Sequence, residues 1–259
     1  MLLTGENNIS SKSFFLSLNL LKENIIHITL NKWEYFILNK LENLDDLFNL
    51  LKKELEKYTM PVVSHPDWDD IVNTPFTTLI SCLLSLRTKD EVTAQASYRL
   101  FKKYDTPDKL ASASKQEIQS LIYPVGFYKI KAKRIKDISK TIIENYNGKV
   151  PNDFDELLKL KGVGRKTANI VMIYGHKSHG YLPIDTHCHR IPNRLGWIKT
   201  KIPEQTEDEL KKILPRKYWD DFNHLFVKFG QTICVPISPF CNRCPIKKYC
   251  KQISVERNR

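Results

Sequence analysis

Four cysteines near the C-terminus have the spacing of a metal site. Six Cys occur in the 259 residues, and six, two and five residues separate Cys234, Cys241, Cys244 and Cys250. Thiolates are soft ligands for zinc and for iron–sulfur clusters, and a reducing compartment keeps clustered thiols free for metal binding. The spacing therefore favours an iron–sulfur cluster, with a tetrahedral zinc site and two disulfides as the alternatives.

A Gly-Val-Gly turn is the second chemical candidate. Gly162, Val163 and Gly164 separate two amphipathic stretches, and Arg165 and Lys166 follow directly. Two glycines allow a tight turn, and the amides that open the next helix have no intrahelical acceptor, so a phosphate group can bind there. Any corner between two helices can use glycine, but a strongly basic chain makes contact with a DNA backbone the better interpretation.

The chain is basic, and its charge is unevenly distributed along the sequence. The chain has 41 Lys and Arg against 29 Asp and Glu, a net charge of +12, whereas residues 1–50 hold four Lys against six acids. A surplus of this size is typical of proteins that bind a polyanion, most often nucleic acid. A Lys-rich solvated surface would produce the same balance.

Membrane insertion and secretion are not expected from this sequence. No apolar run approaches the roughly 20 residues that cross a bilayer. The first residues, Met1 to Glu6, have no basic segment leading into an apolar one, and no Arg occurs before Arg87. We therefore expect an intracellular protein, in the cytoplasm or nucleoid of a prokaryote or the nucleus of a eukaryote.

The elements that must position these residues are predicted to be helices. Apolar residues recur with a helical period from Leu44 to Leu55, and a break follows at Pro61 and Pro66. Residues 25–30 and 33–38 alternate in side-chain type, and this pattern could instead give two short strands in an N-terminal extension. Short turns between helices predict a compact all-α body. Further helices are predicted over residues 76–84, 92–101, 115–122, 131–146, 154–160 and 165–174.

Three separated motifs together resemble a known family. The hairpin of residues 162–171, the stretch Ile184-Asp185-Thr186-His187 and the cysteine spacing look like the endonuclease III family of helix–hairpin–helix DNA glycosylases, over about residues 50–252. The resemblance implies an all-α fold of two domains and a 4Fe-4S cluster on the four cysteines. The implied segments are an N-terminal extension (1–45), an iron–sulfur cluster domain (46–66 and 179–252), a six-helix barrel domain with the hairpin (67–178) and a tail (253–259).

The resemblance also implies the catalytic residues. Lys166 matches the family's nucleophilic lysine, which attacks C1′ of the damaged nucleotide. An ordinary lysine, with a pKa of about 10.4, is protonated at pH 7, so we expect a closed cleft to desolvate this amine. Asp185 matches the catalytic carboxylate, which would stabilise positive charge on the sugar. Asp185 could also simply cap the helix that follows.

Other side chains match positions at which the family contacts DNA. Phe127 lies where the family places an apolar wedge, although a buried loop aromatic is the plain alternative. Arg87 replaces the Gln of bacterial members, and Lys161 replaces the usual Pro before the turn. We call residues 234–250, which hold the four cysteines, the cysteine loop; its Lys247 and Lys248 are predicted to contact phosphate.

The function predicted from these matches is a DNA glycosylase with AP lyase activity on oxidised pyrimidines. Its partner would be double-stranded DNA with damaged or abasic nucleotides, bound by a monomer. A monofunctional mismatch glycosylase is the first alternative, but such relatives usually replace the lysine with Ser or Tyr. A DNA-binding protein without catalysis is the second. A metal site at His187, Cys188 and His189 is disfavoured, because the family has none there.

Overall fold

The computed structural model describes residues 43–58 and 74–259, and within them every regular element is helical, as the sequence predicts. The alternating stretches 25–30 and 33–38 and the break at Pro61 and Pro66 lie outside the described residues. Across this part of the chain, no helix is both long and apolar enough to cross a bilayer. The α-helices are α1 (Leu44–Leu55), α2 (Pro75–Ser85), α3 (Asp90–Phe101), α4 (Pro107–Ser112), α5 (Lys115–Ile122), α6 (Tyr128–Tyr146), α7 (Phe154–Lys159), α8 (Arg165–Ile170), α9 (Thr186–Leu195), α10 (Pro203–Ile213) and α11 (Trp219–Thr232).

Polar caps and prolines start several of these helices. At α2, the side chain of Thr74 accepts a hydrogen bond from the backbone N–H of Thr77, whose own side chain accepts from the Thr74 backbone. At α4, Thr106 accepts from the Lys109 backbone and Pro107 occupies the first turn. Such caps satisfy N–H groups that a helix leaves without acceptors. The pattern of α4 spans too few residues to show a period, and its helix was not predicted.

One apolar core joins the helices from α2 to α8. Leu79 of α2 and Ile135 and Ile142 of α6 are fully buried in it. The 19-residue helix α6 packs along α4 and α5 and also meets α2. Ala168 and Val171 belong to the same core, so α8, which carries Lys166, is held firmly.

Helix α1 packs on α11, although the two are far apart in sequence. The rings of Phe48 and Tyr218 stack with centroids 4.5 Å apart, and Phe226 lies 6.0 Å from Phe48. Asp45 accepts hydrogen bonds from Lys217 Nζ at 2.9 Å and from the Tyr218 hydroxyl at 2.8 Å. The chain separates into the units 1–44 and 45–259. The predicted division of the second unit into two domains stays a prediction.

The helical run that begins at Arg165 widens after Ile170. Residues Val171–Gly175 form a π-helical turn, so the predicted helix 165–174 is a single run with two geometries. A Cβ on Gly175 would lie 2.8 Å from the Cα of Pro75. The glycine therefore allows the start of α2 to pack closely against this run. Such π turns are frequent at functional sites.

Candidate active site

Lys166 and Asp185 line the same cleft. The cleft has a volume of about 330 Å³, within the range of roughly 300–1,000 Å³ found for small-molecule sites. Lys166 comes from the first turn of α8, and Asp185 from the residue before α9. The structure thus brings together the two predicted catalytic residues. The other residues that line the cleft are Arg165, Ile184, Thr186, Pro203, Glu204 and Glu207.

Asp185 caps α9. Its Oδ1 accepts hydrogen bonds from the backbone N–H groups of His187 at 2.9 Å and Cys188 at 2.8 Å. Because both bonds use the same oxygen, the cap does not occupy Oδ2. The capping interpretation is therefore confirmed, and it leaves a carboxylate oxygen for chemistry in the cleft.

Lys166 is exposed, so the expectation of a closed, desolvating cleft is wrong for the free chain. The reason is the orientation of α8, which buries Thr167, Ala168 and Asn169 and turns Lys166 outward. Burial raises the pKa of the neighbouring Cys82 thiol to about 12, and the charge of Lys166 opposes that shift. A thiol with so high a pKa stays protonated near neutral pH and does not compete as a nucleophile.

The hairpin turn presents open backbone to solvent. Gly162 has a φ of +88°, a left-handed conformation that glycine adopts without strain. A Cβ on Gly164 would meet no atom within 4 Å, whereas one on Gly162 would lie 3.0 Å from the side chain of Arg134. Val163 packs inward at 7% exposure. Arg134, on α6, thus adds a basic group beside the hairpin, which no motif in the sequence marks.

Arg165 joins the hairpin to α10. Its Nε donates to Glu207 Oε2 and its Nη2 to Asp208 Oδ1, both at 2.9 Å. Glu207 is 2% exposed and also accepts from Lys211 Nζ at 2.6 Å. Burial alone would raise the pKa of Glu207, but the hydrogen bonds from Arg165 and Lys211 outweigh it and lower that pKa. The predicted DNA contact of Arg165 therefore competes with two carboxylates of its own chain.

Arg87 and Phe127 lie together at the tips of two loops. We call residues 86–89 the Arg87 loop and residues 123–127 the Phe127 turn. Both residues have left-handed backbone, with φ of 54° and 59°, a conformation that is costly for side chains larger than glycine. The Phe127 ring is 58% exposed, so the alternative of a buried loop aromatic is wrong.

The four C-terminal cysteines line one cavity, together with Arg194. All four are free thiols, which disagrees with the disulfide alternative. In residues 43–58 and 74–259, no three His, Cys, Asp or Glu side chains meet closely enough to hold a single ion. Arg194 Nη1 donates to Cys234 Sγ at 3.4 Å, and the Gln252 N–H donates to Cys250 Sγ at 3.3 Å. Sulfurs placed around a cavity, with N–H donors, fit a polynuclear iron–sulfur cluster.

Lys247 and Lys248 are exposed on the short helix Lys247–Tyr249 beside this cavity. Lys248 Nζ lies 3.2 Å from Asp46 Oδ2, while Lys247 lines the cysteine cavity. Only one of the two predicted phosphate contacts is thus paired with a carboxylate in this structure, among the residues described.

The two histidines that follow Asp185, His187 and His189, have different partners. His187 Nδ1 faces Arg190 Nη2 at 3.0 Å, and His189 Nδ1 faces Thr206 Oγ1 at 2.6 Å. Cys188 is fully buried, and burial raises the pKa of its thiol. In this part of the chain, the three side chains therefore have separate partners rather than one common ligand position.

The sequence is similar to those of known proteins. Residues 80–216 match the family model described as HhH-GPD superfamily base excision DNA repair protein. The chain is 51% identical over 177 residues to endonuclease III of Thermotoga maritima, covering 68% of this chain and 83% of that protein. It is 42% identical over 183 residues to the chloroplastic endonuclease III homolog 2 of Arabidopsis thaliana, covering 68% of this chain but 47% of that protein.

Solved structures are similar as well. A trapped endonuclease III–DNA covalent intermediate matches with a TM-score of 0.70 and 32% identity, covering 82% of this chain and 95% of the other. A thermostable thymine-DNA glycosylase matches with a TM-score of 0.69, covering 82% of this chain and 96% of the other. At 22% identity, the second match shows only a shared fold.

Proposed function

Because this chain belongs to the HhH-GPD superfamily of base excision DNA repair proteins, and within it to the endonuclease III family, we propose that it is a bifunctional DNA glycosylase and AP lyase. Its substrate is double-stranded DNA that carries oxidised pyrimidines or abasic nucleotides. The observation that carries this proposal is that Lys166 and Asp185 line one cleft. A protein that only docks on DNA would not need a lysine and a carboxylate that line the same cleft.

The proposed chemistry uses the Lys166 amine as the nucleophile. Its Nζ forms a bond to C1′ of the damaged nucleotide while the bond from C1′ to the base breaks, and the base leaves with its electron pair and takes up a proton. Opening of the sugar ring then gives an imine between Nζ and C1′. Loss of a proton from C2′ expels the 3′ phosphate, so the strand is cut on that side. DNA that covers the exposed amine would supply the desolvation that the free cleft lacks.

Asp185 has two tasks in this scheme. Its Oδ1 keeps α9 in place through the two cap bonds. Its Oδ2 is free to stabilise the positive charge that develops on the sugar as the base departs, and to accept the proton that Lys166 must lose. The residue therefore contributes to both stability and turnover, and the two contributions can be separated by substitution.

The hairpin and the two loops would handle the DNA itself. Gly164 is exposed, and the space that a Cβ would occupy is open, which suits close approach of a phosphate to the backbone. Arg87 and Phe127 project together and would fill the gap in the duplex when a nucleotide is extruded. Arg134 and Arg165 lie beside the hairpin and would add positive charge near the backbone.

The iron–sulfur cluster would be held by Cys234, Cys241, Cys244 and Cys250. When bound, such a cluster joins the C-terminal loop into one rigid unit through metal–thiolate bonds. Arg194 would orient this loop, because its guanidinium also donates to the carbonyl oxygens of Val235 at 2.8 Å and Pro236 at 2.6 Å.

Borohydride trapping tests the proposal directly. Native protein is incubated with duplex DNA that carries thymine glycol, or a plain abasic site, and borohydride converts any imine into a stable covalent adduct. We expect the native protein to form the adduct on both substrates and Lys166→Ala to form none. Lys159→Ala is the matched control, since Lys159 is an exposed lysine on α7, just before the hairpin, that pairs with Glu156 and should leave trapping intact.

Two results would contradict the proposal in different ways. Release of the base without an adduct would make the protein a monofunctional glycosylase. Binding of DNA with neither base release nor adduct would leave a protein that only docks on DNA.

A further inference from the structure

The core-facing side of α6 contains a lysine. Lys131 lies in helical step with Ile135, Ile138 and Ile142, and it is 5% exposed. Within the described ranges no carboxylate forms an ion pair with its ammonium. Burial, and to a smaller extent the charge of Arg134, lower the pKa of Lys131 to about 8. A cation buried without a counter-ion costs free energy, so packing alone does not explain this residue.

The ammonium of Lys131 binds the segment that enters the Arg87 loop. Its Nζ donates to the carbonyl oxygens of Leu84 at 2.7 Å and Leu86 at 2.5 Å, and to Thr88 Oγ1 at 3.1 Å. An ammonium has three N–H donors, and here each has an acceptor. Lys131 therefore fixes the backbone on both sides of the point where α2 ends.

Thr88 extends this contact to the Phe127 turn. Its Oγ1 also accepts a hydrogen bond from the backbone N–H of Gly126 at 3.2 Å. Gly126 lies so close to the Arg87 loop that a Cβ on it would stand 2.6 Å from the Arg87 carbonyl oxygen. The two loops are thus joined through Lys131 and Thr88, directly beneath the exposed side chains of Arg87 and Phe127.

We propose that Lys131 is a positioning residue that holds the Arg87 loop and the Phe127 turn at a fixed separation, and so sets the shape of the wedge that enters the duplex. This role rests on the proposed function. Lys131 contacts the Arg87 loop and the end of α2, and it does not line the cleft of Lys166 and Asp185. Its loss should therefore impair extrusion of a nucleotide from duplex DNA without impairing the chemistry at C1′.

Three variants test this role. Lys131→Met keeps the length and apolar packing of the side chain and removes its donors. Thr88→Val removes the hydroxyl that joins the two loops and leaves the buried lysine in place. The matched control is Lys136→Met, because Lys136 also lies on α6 and donates to a backbone carbonyl, that of Ala113, which belongs to neither loop.

The decisive comparison is between duplex and single-stranded DNA with an abasic site. An abasic sugar must leave the stack in duplex DNA but not in a single strand. We expect Lys131→Met and Thr88→Val to slow borohydride trapping on the duplex by about 10- to 100-fold, as misplacement of a positioning group does. Trapping on the single strand should be unchanged, and Lys136→Met should be unchanged on both.

Hydrogen exchange gives a readout that does not depend on activity. Peptides that cover residues 86–88 and 125–127 should exchange faster in Lys131→Met and Thr88→Val than in the native protein and in Lys136→Met. Equal losses on duplex and single strand, or native trapping on duplex by both folded variants, would overturn the positioning role. A native protein that traps neither substrate would defeat the proposed function instead, while hydrogen exchange would still test the contact between the loops.

Discussion

The guanidinium carbon of Arg87 lies 6.0 Å from the centroid of the Phe127 ring, although the two residues belong to loops next to different helices. At about this distance a cation is still attracted to an aromatic face. Both residues have left-handed backbone, and both are exposed. They therefore form a single protruding edge that combines a flat apolar ring with a positive charge.

Phe127→Ala should slow excision from duplex DNA without lowering the stability of the protein. Because the ring is 58% exposed, we expect the free energy of unfolding to change by no more than about 0.5 kcal/mol. Single-turnover excision from duplex DNA should fall by about 10- to 100-fold, while trapping on single-stranded abasic DNA is kept. A loss of thermal stability with normal excision would instead make Phe127 a packing residue.

Two substitutions of Asp185 should separate its role as a helix cap from its role in catalysis. Asparagine is as good an N-cap as aspartate, whereas alanine at an N-cap costs about 0.5–2 kcal/mol. We therefore expect Asp185→Asn to keep the melting temperature and Asp185→Ala to lower it, while both lose most excision activity because neither has a carboxylate. Calorimetry and single-turnover kinetics measure the two effects, and full activity of the stable Asn variant would refute a catalytic role.

Gly164→Ala should weaken DNA binding without unfolding the protein. A Cβ there meets no atom within 4 Å, and the φ of −104° is accessible to alanine. Stability should be unchanged or higher by about 0.4–1 kcal/mol, but the methyl group would keep a phosphate from the amides. Fluorescence anisotropy with an abasic duplex measures the affinity. Gly175→Ala is the contrasting variant, since its Cβ would lie 2.8 Å from Pro75 Cα and should destabilise the fold.

The lysines of the cysteine loop should affect the salt dependence of binding. Each phosphate contact adds about 0.9 to the slope of log affinity against log salt, so we expect Lys247→Gln to reduce that slope by about 1. Lys248→Gln should have a smaller effect, because Lys248 is paired with Asp46. Asp46→Asn should then strengthen binding. Unchanged affinity and slope after charge reversal at both lysines would rule out contact of this loop with DNA.

Glu207 should make part of the stability depend on pH. Its pKa in the folded chain is lowered, so its stabilising contribution is complete above the unfolded value of about 4.3 and is lost as pH falls through the folded value. We expect Glu207→Gln to lower the free energy of unfolding by about 1–3 kcal/mol at neutral pH. Urea unfolding at several pH values should show this difference shrinking below about pH 4. A difference that does not change with pH would contradict the assignment.

The sequence predicts α1 to α3 and α5 to α8, most of which have apolar residues at a helical period, whereas α4, α10 and α11 were not among the predicted helices. Ile135, Ile138 and Ile142 recur at helical spacing and are buried as expected. The start of α6 is less predictable. The helix begins at Tyr128, directly after Phe127, and the apolar period does not reveal the left-handed backbone of Phe127. Lys131 is unusual already in the sequence, because it is a lysine at helical spacing from the buried isoleucines. Only its contacts in the structure explain why a lysine occupies this position.

Local sequence patterns predict contacts between residues that are close in sequence, but not contacts between distant residues. The cap of α9 by Asp185 depends on residues that follow it directly. The pairing of Arg165 with Glu207 joins positions 42 residues apart, which no local pattern reveals. The exposure of Lys166 likewise depends on which face of α8 the core selects, so the expected closed cleft was not a property that local sequence could decide.

The packing of α1 on α11 has a consequence for synthesis on the ribosome. Asp45 and its partner Lys217 are 172 residues apart, and at about 5–20 residues per second the partner emerges roughly 10–35 s later. During that interval the apolar face that carries Phe48 has no Tyr218 or Phe226 to cover it. The nascent chain should therefore be a substrate for holding chaperones until α11 has left the exit tunnel.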